Sequence, residues 1–338
     1  MRGIFCRLAA AAIAAVTVSG LKNSASAAEL TTLRFGVDTE HNINGLALAV
    51  ADREGFLARE GLKLQQTPFL ATKDRDRNRT ALMAALKKGD VNFTRVQTPF
   101  LIEGAVNKTG IAGISAVVDN PVYFLVASPK IKSFADLKGR VISEPRLGDI
   151  LSLTARELLA EHGLGPQNVT ILEIAGSGPR VDCMLSGKCD AGTVDQPAVY
   201  KLFDAGFHTL ALHSEAGPPL LDVVDVVDRD WGASHRDTVV KYLRASAEAM
   251  RFIHDPKNRD AVVKVAMAVT AQPEKQARQM LDYFWDPKYR VLPQDAEIDM
   301  NGLTATIQLL AKYGFVKQPL PQASEMVDLS YAKEAGIR

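Results

Sequence analysis

The chain has 338 residues, 40 Lys and Arg side chains against 39 Asp and Glu, and a formal net charge of +1 at pH 7. With 47% apolar and 23% charged residues, the composition excludes wholesale disorder and collagen-like or low-complexity classes. The length is typical of about two domains, and the balanced charge favours neither nucleic acid nor an anionic membrane surface as a partner.

The first 27 residues have the layout of a secretory signal peptide. Arg2 and Arg7 form a basic start, residues 8–18 are an apolar Ala-rich run, and residues 25–27 offer an A-x-A cleavage site. The alternative is a membrane anchor, but the run is shorter than the ~20 residues that span a bilayer. We therefore predict an exported, periplasmic protein that is cleaved near Ala27.

Strands and helices alternate in the first third of the remaining chain. The predicted elements are a strand at 33–37, a polar loop at 38–44, a helix at 45–59, a strand at 62–66, a charged loop at 74–79, a helix at 80–88 and a strand at 90–94. Gly61 is predicted to end the first helix in a left-handed conformation, and Pro99 lies where a helix start tolerates proline.

The same plan recurs further along. A capping-box turn begins at Ser133, and it is followed by a strand at 140–143, a loop at 144–149, a helix at 150–162, a strand at 169–174, a helix at 179–185 and a strand at 189–194. The segments around the two third strands align at a constant offset of 98, which pairs Gly89 with Gly187 and Pro99 with Pro197. Recurring strand–helix units predict two parallel-rich sheets covered by helices.

A long strand at 122–128 and a strand pair at 208–213 and 222–228 bracket the second unit, and the chain is helical from 234 onward. Further helices are predicted at 260–268, 273–283 and 295–313, where the apolar stripes indicate packing. We therefore predict a first lobe formed by residues 28–119 and 216–338, with residues 120–215 inserted as a second lobe.

Catalytic motifs are not found. The sequence lacks a Walker A motif, G-x-G-x-x-G and H-E-x-x-H, and the residues 176–178 only approach a nucleophile elbow with the wrong spacing. The six His residues are scattered, which disfavours a local zinc site. We predict a binding protein with no catalytic residue, no metal and no cofactor.

Two cysteines, Cys183 and Cys189, remain after cleavage. An oxidising compartment permits a disulfide between them, and the alternative is a pair of part-buried thiols. They are too few for a metal site.

A ligand is expected where the strands of open α/β sheets end. The loops at these ends are 38–44, 69–72, 95–98, 144–149, 175–180 and 195–196. Arg95, Arg146 and Arg180 lie in three of them, and a bidentate guanidinium suits a sulfonate or a carboxylate. The acids Asp195 and Glu144 argue against a pocket that binds anions alone. They could instead hold an amine, pair with an Arg or face solvent.

Several segments together resemble one family. Residues 46–64, LALAVADREGFLAREGLKL, are similar to the A-x-x-x-G-F-F-x-x-E-G-L-x-V signature of periplasmic solute-binding proteins of nitrate, sulfonate and taurine importers, which are related to thiamine-pyrimidine-precursor binding proteins. Residues 86–92, 184–190 and 131–140 resemble the family's two L-x-x-G-x-x-D segments and its I-x-S-x-x-D-L-K-G-K segment. The likeness extends over essentially the whole mature chain.

The resemblance implies a Venus-flytrap fold, with two α/β lobes, two hinge strands and a ligand enclosed between them. It also implies delivery to an inner-membrane ABC permease with a separate ATPase. Two departures bear on the ligand: Asp195-Gln196-Pro197 stands where the family often has an aromatic residue, an acid and Pro, and the charged loop 74–79 is unusually long.

We therefore expect a monomeric binding protein that captures a small, anionic organic solute, a sulfonate or carboxylate, by hinge closure. The predicted ligand contacts are Asn44, Arg95 and Gln97 from the first lobe and Arg146, Arg180 and Asp195 from the second. The alternatives are a thiamine pyrimidine precursor or aromatic acid as ligand, a sensor partner without transport, and an enzyme on the same fold.

Overall fold

The computed structural model describes residues 29–72, 75–215 and 217–337, without the side chains of 75 and 76. The predicted signal peptide and Asp74 lie outside the described residues. The strands are β1 (Thr31–Val37), β2 (Leu62–Pro68), β3 (Phe93–Gln97), β4 (Ile111–Val118), β5 (Phe124–Ala127), β6 (Val141–Glu144), β7 (Thr170–Glu173), β8 (Ala191–Val194), β9 (His208–Leu212) and β10 (Val223–Asp228).

Helices cover both faces of the sheets these strands form. They are α1 (Leu46–Arg53), α2 (Phe56–Arg59), α3 (Arg75–Lys88), α4 (Thr98–Val106), α5 (Ile150–Glu161), α6 (Ser177–Leu185), α7 (Val199–Asp204), α8 (Arg229–Ser234), α9 (Arg236–His254), α10 (Arg259–Thr270), α11 (Glu274–Trp285), α12 (Met300–Lys312) and α13 (Ser330–Ala335). Short 3-10 turns lie at Ile43–Gly45, Phe134–Leu137, His213–Glu215, Pro256–Asn258 and Ala323–Glu325.

The ten strands form two five-stranded sheets of the same plan. The first sheet has the order β2-β1-β3-β10-β4, and the second has the order β7-β6-β8-β5-β9. Four strands of each sheet run in the same direction, and one strand opposes them: β10 pairs antiparallel with β3 and β4, and β5 pairs antiparallel with β8 and β9. We call the first sheet with its helices the first lobe and the second sheet with its helices the second lobe. The chain crosses between them twice, at 119–123 and at 213–222.

The repeat predicted from the sequence is visible in this plan, because β3 begins at Phe93 and β8 begins 98 residues later at Ala191. The capping box at Ser133 is also present, and Asp136 accepts the backbone N–H of Ser133. The α/β fold class is thus confirmed, and each sheet is rich in parallel strands with one strand that opposes them.

Four element predictions are wrong in detail, and one of them is the helix predicted at 295–313, which begins only at Met300. The helix predicted at 45–59 is divided into α1 and α2 by Gly55, whose φ of 75° no helix continues through. Residues 75–79 of the loop predicted at 74–79 are the first part of α3, where polar residues extend the helix toward its N-terminus. The third strand lies at Phe93–Gln97 rather than at 90–94, so Arg95 and Gln97 belong to a strand.

A buried ion pair holds β10 beside β3. Arg95 donates to Asp225 from Nε at 2.8 Å and from Nη2 at 3.1 Å, and the Asp225 side chain is 3% exposed. The Tyr242 hydroxyl of α9 also donates to Asp225, and the Arg95 Nη1 donates to the carbonyl of Asn44. Burial raises the pKa of Tyr242 well above its usual range, so the hydroxyl keeps its proton. One polar cluster inside the first lobe therefore fixes β3, the returning strand β10 and helix α9 relative to one another.

Asp119 lies at the first crossing between the lobes, where its backbone N–H donates to the carbonyl of Val291. Burial raises the pKa of its carboxyl to about 8, and the charges of Glu297 and Asp299 act in the same direction while Arg290 opposes them. The folded chain therefore keeps a proton here across the neutral range.

We expect Arg95→Met to lower the free energy of unfolding by about 3–5 kcal/mol, because it leaves the Asp225 carboxylate buried without its cation. Urea unfolding at pH 7 measures the change. Arg53→Met, on the exposed side of α1, is the matched control and should stay within about 0.5 kcal/mol of the parent chain. A loss below about 1 kcal/mol for Arg95→Met would contradict a structural role for the pair.

We expect the contribution of Asp119 to the free energy of unfolding to fall as pH rises from about 4 to about 8, at up to about 1.4 kcal/mol per pH unit, because Asp119 is protonated in the folded chain and ionised in the unfolded one. Asp119→Asn removes this contribution, so its stability relative to the parent should increase steadily from pH 5 to pH 8. Urea unfolding at both pH values tests this, and equal pH slopes for the two chains would refute it.

Candidate functional site

A cavity of about 1220 Å³ lies between the two lobes. Its walls come from the ends of strands and the turns that follow them, as expected for an open α/β sheet. The first lobe contributes residues 42–44, the segment from Gln97 to Asn107, and parts of α11 and α12. The second lobe contributes residues 145–149, 175–180 and 195–196. Five of the six predicted loops therefore contribute to the cavity wall, and the loop at 69–72 does not.

Five of the predicted contact residues line this cavity: Asn44, Gln97, Arg146, Arg180 and Asp195. Arg95 does not line it, because its guanidinium is bound to Asp225 within the first lobe. The prediction that Arg95 contacts ligand depended on its placement in a loop. Since Arg95 instead lies within β3, its side chain is engaged inside the lobe, and only Gln97, at the strand end, reaches the cavity.

Asn44 is held in place by its own turn. Asn42 accepts the backbone N–H of Asn44 through its side-chain oxygen at 2.9 Å, which caps the 3-10 turn Ile43–Gly45. The Asn44 carbonyl accepts from Arg95. The residue is therefore presented to the cavity by a turn that the ion pair of the first lobe anchors.

Arg180 lies on α6 and is only 3% exposed. It donates to the carbonyls of Thr193 and Ile174 at 2.7 and 3.0 Å and to the Ser177 hydroxyl at 2.8 Å. This guanidinium thereby ties the start of α6 to the ends of two strands of the second lobe. It is a framework cation at the cavity wall.

Three charged residues lie in or beside the loop before α5. Arg146 is exposed at the cavity rim, Asp149 caps α5 by accepting the backbone N–H of Leu151 at 3.0 Å, and Glu173 accepts the backbone N–H of Leu147 at 3.3 Å. The cap fixes the loop, because it satisfies one of the N–H groups that a helix start leaves without a partner.

Sequence reasoning missed several residues of the cavity wall. Arg79 packs over the ring of Phe100, with 3.5 Å from its Cζ to the ring centre, and pairs with Asp38 at 3.4 Å. Asp222 and Tyr123 lie at the two crossings between the lobes. The sequence does not indicate a site role for Arg79, because its segment reads as a charged loop. It does not indicate one for Tyr123 and Asp222 either, because their role depends on a hydrogen bond between residues far apart in the sequence.

Tyr123 and Asp222 are joined directly. The Tyr123 hydroxyl donates to Asp222 at 2.7 Å. Burial raises the pKa of Tyr123 well above its usual range, and the charges of Asp222, Asp149 and Asp195 raise it further. His213 packs edge-on against Tyr123 with 6.0 Å between ring centres, and it contacts the Thr154 hydroxyl at 2.6 Å. Burial and the nearby charge of Arg180 lower the pKa of His213 to about 3, so this imidazole is neutral.

Two further groups of the second lobe are structural. Cys183 and Cys189 form a disulfide across the end of α6, with 5.4 Å between their Cα atoms. Glu144, which was one of two acids left open by the sequence, is fully buried and accepts from Arg156 at 2.9 Å. Burial raises the pKa of Glu144, and the Arg156 guanidinium opposes this rise.

Within residues 29–72, 75–215 and 217–337, no three His, Cys, Asp or Glu side chains are grouped so that they could hold a metal ion. In the same part of the chain, no helix is both long enough and apolar enough to cross a membrane. A side cavity of about 510 Å³ lies between α3 and α4 and shares Arg79, Phe100 and Arg146 with the cavity between the lobes.

Comparison with known proteins agrees with this architecture. The sequence model of the family described as NMT1/THI5 like matches residues 42–259. No curated protein sequence matches the chain.

Solved structures of the same fold include three proteins that are named as binding proteins or binding components. The ligand-binding component of an ABC-type import system from Staphylococcus aureus has a TM-score of 0.72 at 14% identity, over 90% of this chain and 99% of that chain. The alkanesulfonate-binding protein SsuA from Xanthomonas axonopodis pv. citri has a TM-score of 0.66 at 19% identity, over 89% and 99%. The periplasmic nitrate-binding protein NrtA from Synechocystis PCC 6803 has a TM-score of 0.70 at 13% identity, over 91% and 89%. At these identities the likeness establishes the periplasmic binding protein fold.

Proposed function

Because the chain belongs to the NMT1/THI5-like family, we propose that it is the solute-binding component of an ABC importer. The observation that carries the proposal is the cavity of about 1220 Å³ between two lobes, lined by both and spanned by two crossings of the chain. A ligand in such a cavity touches both lobes only when they are close together. Binding therefore favours the closed arrangement by the difference in affinity between the two states.

The related structures support this role. Proteins of the same fold are named as an ABC ligand-binding component, an alkanesulfonate-binding protein and a nitrate-binding protein. By analogy, this chain is exported, works in the periplasm as a monomer, and delivers its solute to an inner-membrane permease with a separate ATPase. We place the lobe boundaries at 119/120 and 215/216, within the two crossings.

The size of the cavity favours an organic solute over nitrate, because ligand pockets of about 300–1,000 Å³ already enclose drug-sized molecules. An anionic group of the solute, a sulfonate or a carboxylate, would meet Arg146 at the rim of the cavity. We propose binding without turnover.

A contact between the lobes supports the closing motion. Glu157 on α5 accepts from Lys312 at 2.7 Å and from the Tyr313 hydroxyl at 2.7 Å, at the end of α12 in the first lobe. On the same side, Phe315 lies so close to Gly148 that a Cβ on that glycine would stand 2.9 Å from the ring. We infer that this pair of contacts acts as a latch that helps to hold the closed state.

We expect one chemical class of solute to raise the melting temperature of the mature protein after bound molecules have been removed by unfolding and refolding. At a concentration one hundred times the Kd, the gain is about 2.7 kcal/mol. The measurement is a thermal-shift screen of sulfonates, carboxylates, nitrate and amines, with NMR of the compound afterwards. Consumption of the compound would favour an enzyme, and no stabilisation by any class would refute binding in this cavity.

We expect Glu157→Gln to weaken binding of the stabilising solute by no more than about fivefold and to enlarge the radius of gyration of the complex, because a half-exposed ion pair contributes about 1 kcal/mol or less. Calorimetry and small-angle X-ray scattering measure the two effects. Glu161→Gln, exposed on the same helix, is the control. Unchanged affinity and radius for Glu157→Gln would contradict the latch.

A further inference from the structure

The charges of the cavity wall do not match a receptor for a simple anion. Three guanidiniums face five carboxylates along the lining. The guanidiniums are Arg79, Arg146 and Arg180, and the carboxylates are Glu103, Asp149, Glu173, Asp195 and Asp222. Arg79 already pairs with Asp38, and Arg180 is bonded to framework carbonyls and a hydroxyl. The cations are thus largely engaged by the protein, and the described residues give the lining an excess of negative charge.

Three of the carboxylates gather at one end of the cavity, around Tyr123. Asp222 accepts the Tyr123 hydroxyl at 2.7 Å, and Asp149 and Asp195 are near enough for their charges to act on the same hydroxyl. Arg180 is the cation of this end, since its charge acts on His213, which packs against Tyr123. Within the described part of the chain, three acids and one guanidinium give this end of the cavity a net negative charge.

Among the described residues, Asp195 is the acid of this group that has no hydrogen-bond or ion-pair partner for its side chain. Its carboxylate lies half-buried in the cavity wall and accepts no hydrogen bond from the described residues. By contrast, Asp149 caps α5 and Asp222 holds Tyr123. A partly buried carboxylate without a donor is costly unless another molecule supplies one.

The neighbouring side chain gives independent evidence of a ligand. Gln196 lines the same part of the cavity, is only 6% exposed, and its amide nitrogen forms no hydrogen bond with the described residues. Buried amides in folded proteins nearly always have a partner. Asp195 and Gln196 therefore form an adjacent anion and neutral amide at the cavity wall, and both lack partners from the described part of the protein.

We propose that the ligand of this cavity carries a positively charged nitrogen, which binds Asp195 at the Tyr123 end while an acceptor atom beside it bonds the Gln196 amide. The proposal rests on the proposed function and names its class of solute, an organic cation or a solute with a cationic end. Within the described residues the three acids are not grouped closely enough to hold a metal ion, which favours an organic group over a bare metal. Any anionic group of the same solute would be directed toward Arg146.

A charge-sorted extract tests this class while the compound itself is still unidentified. Yeast extract is loaded at pH 2 on a strong cation exchanger, which retains compounds with a basic nitrogen and releases sulfonates and carboxylates that lack one. Each fraction is neutralised, desalted and added to the refolded mature protein. The melting temperature is measured for the parent chain, for Asp195→Asn and for Asp204→Asn, an exposed acid at the end of α7 in the same lobe.

We expect the retained fraction to raise the melting temperature of the parent chain and of Asp204→Asn. For Asp195→Asn, at least ten times more of the fraction should be needed for the same shift. The melting temperature of each chain without extract shows whether the variant folds. Stabilisation by the unretained fraction alone, or an undiminished response of Asp195→Asn, would overturn the cationic class while leaving the binding function intact. If neither fraction stabilises the parent chain, both the binding function and this inference fail.

Discussion

The buried ion pair between Arg95 and Asp225 is the constraint on which the first lobe depends. The two residues are 130 positions apart, on a strand that precedes the second lobe and on the strand that returns from it. Because β10 must lie antiparallel between β3 and β4, their pairing fixes where the returning chain re-enters the first sheet. The turn that presents Asn44 is attached to the same guanidinium. The buried pair in the core of the first lobe therefore also fixes the position of the turn at the edge of the cavity.

The second lobe is likewise held together by cations that bond to groups of its own framework. Arg156 neutralises Glu144, and Arg180 joins the start of α6 to the ends of β7 and β8. Cations that serve the framework in this way are poorly disposed to bind a mobile anion, because a ligand would have to compete with bonds already formed. The groups best placed to recognise a solute are cavity-lining groups whose partners the described residues do not supply, and at the Tyr123 end these include an acid, Asp195, and an amide, Gln196.

Much of the fold follows from local pattern, and much of the site does not. Glycine caps, apolar strands and the repeat at an offset of 98 place the elements within a few residues, since each depends on neighbours in sequence. A shift of three residues in β3 was enough to misplace Arg95, because a strand residue points to one face of a sheet whereas a loop residue does not. Tyr123 and Asp222 were missed for a different reason: each gains its role from a partner about one hundred positions away.

This division between framework and site explains how a fold can persist at 13–19% identity while its ligands differ. The sheets, the crossings and the ion pairs within each lobe keep two walls opposite one another, and these features do not specify a ligand. Recognition depends on a few side chains at strand ends, where substitution costs little stability. In this chain the segment that follows β8 carries Asp195 and Gln196, and in the cationic-solute proposal this short turn gives that wall its preference for a positively charged nitrogen. The proposed class of solute therefore follows from two neighbouring side chains that take no part in the hydrogen bonds of the described framework.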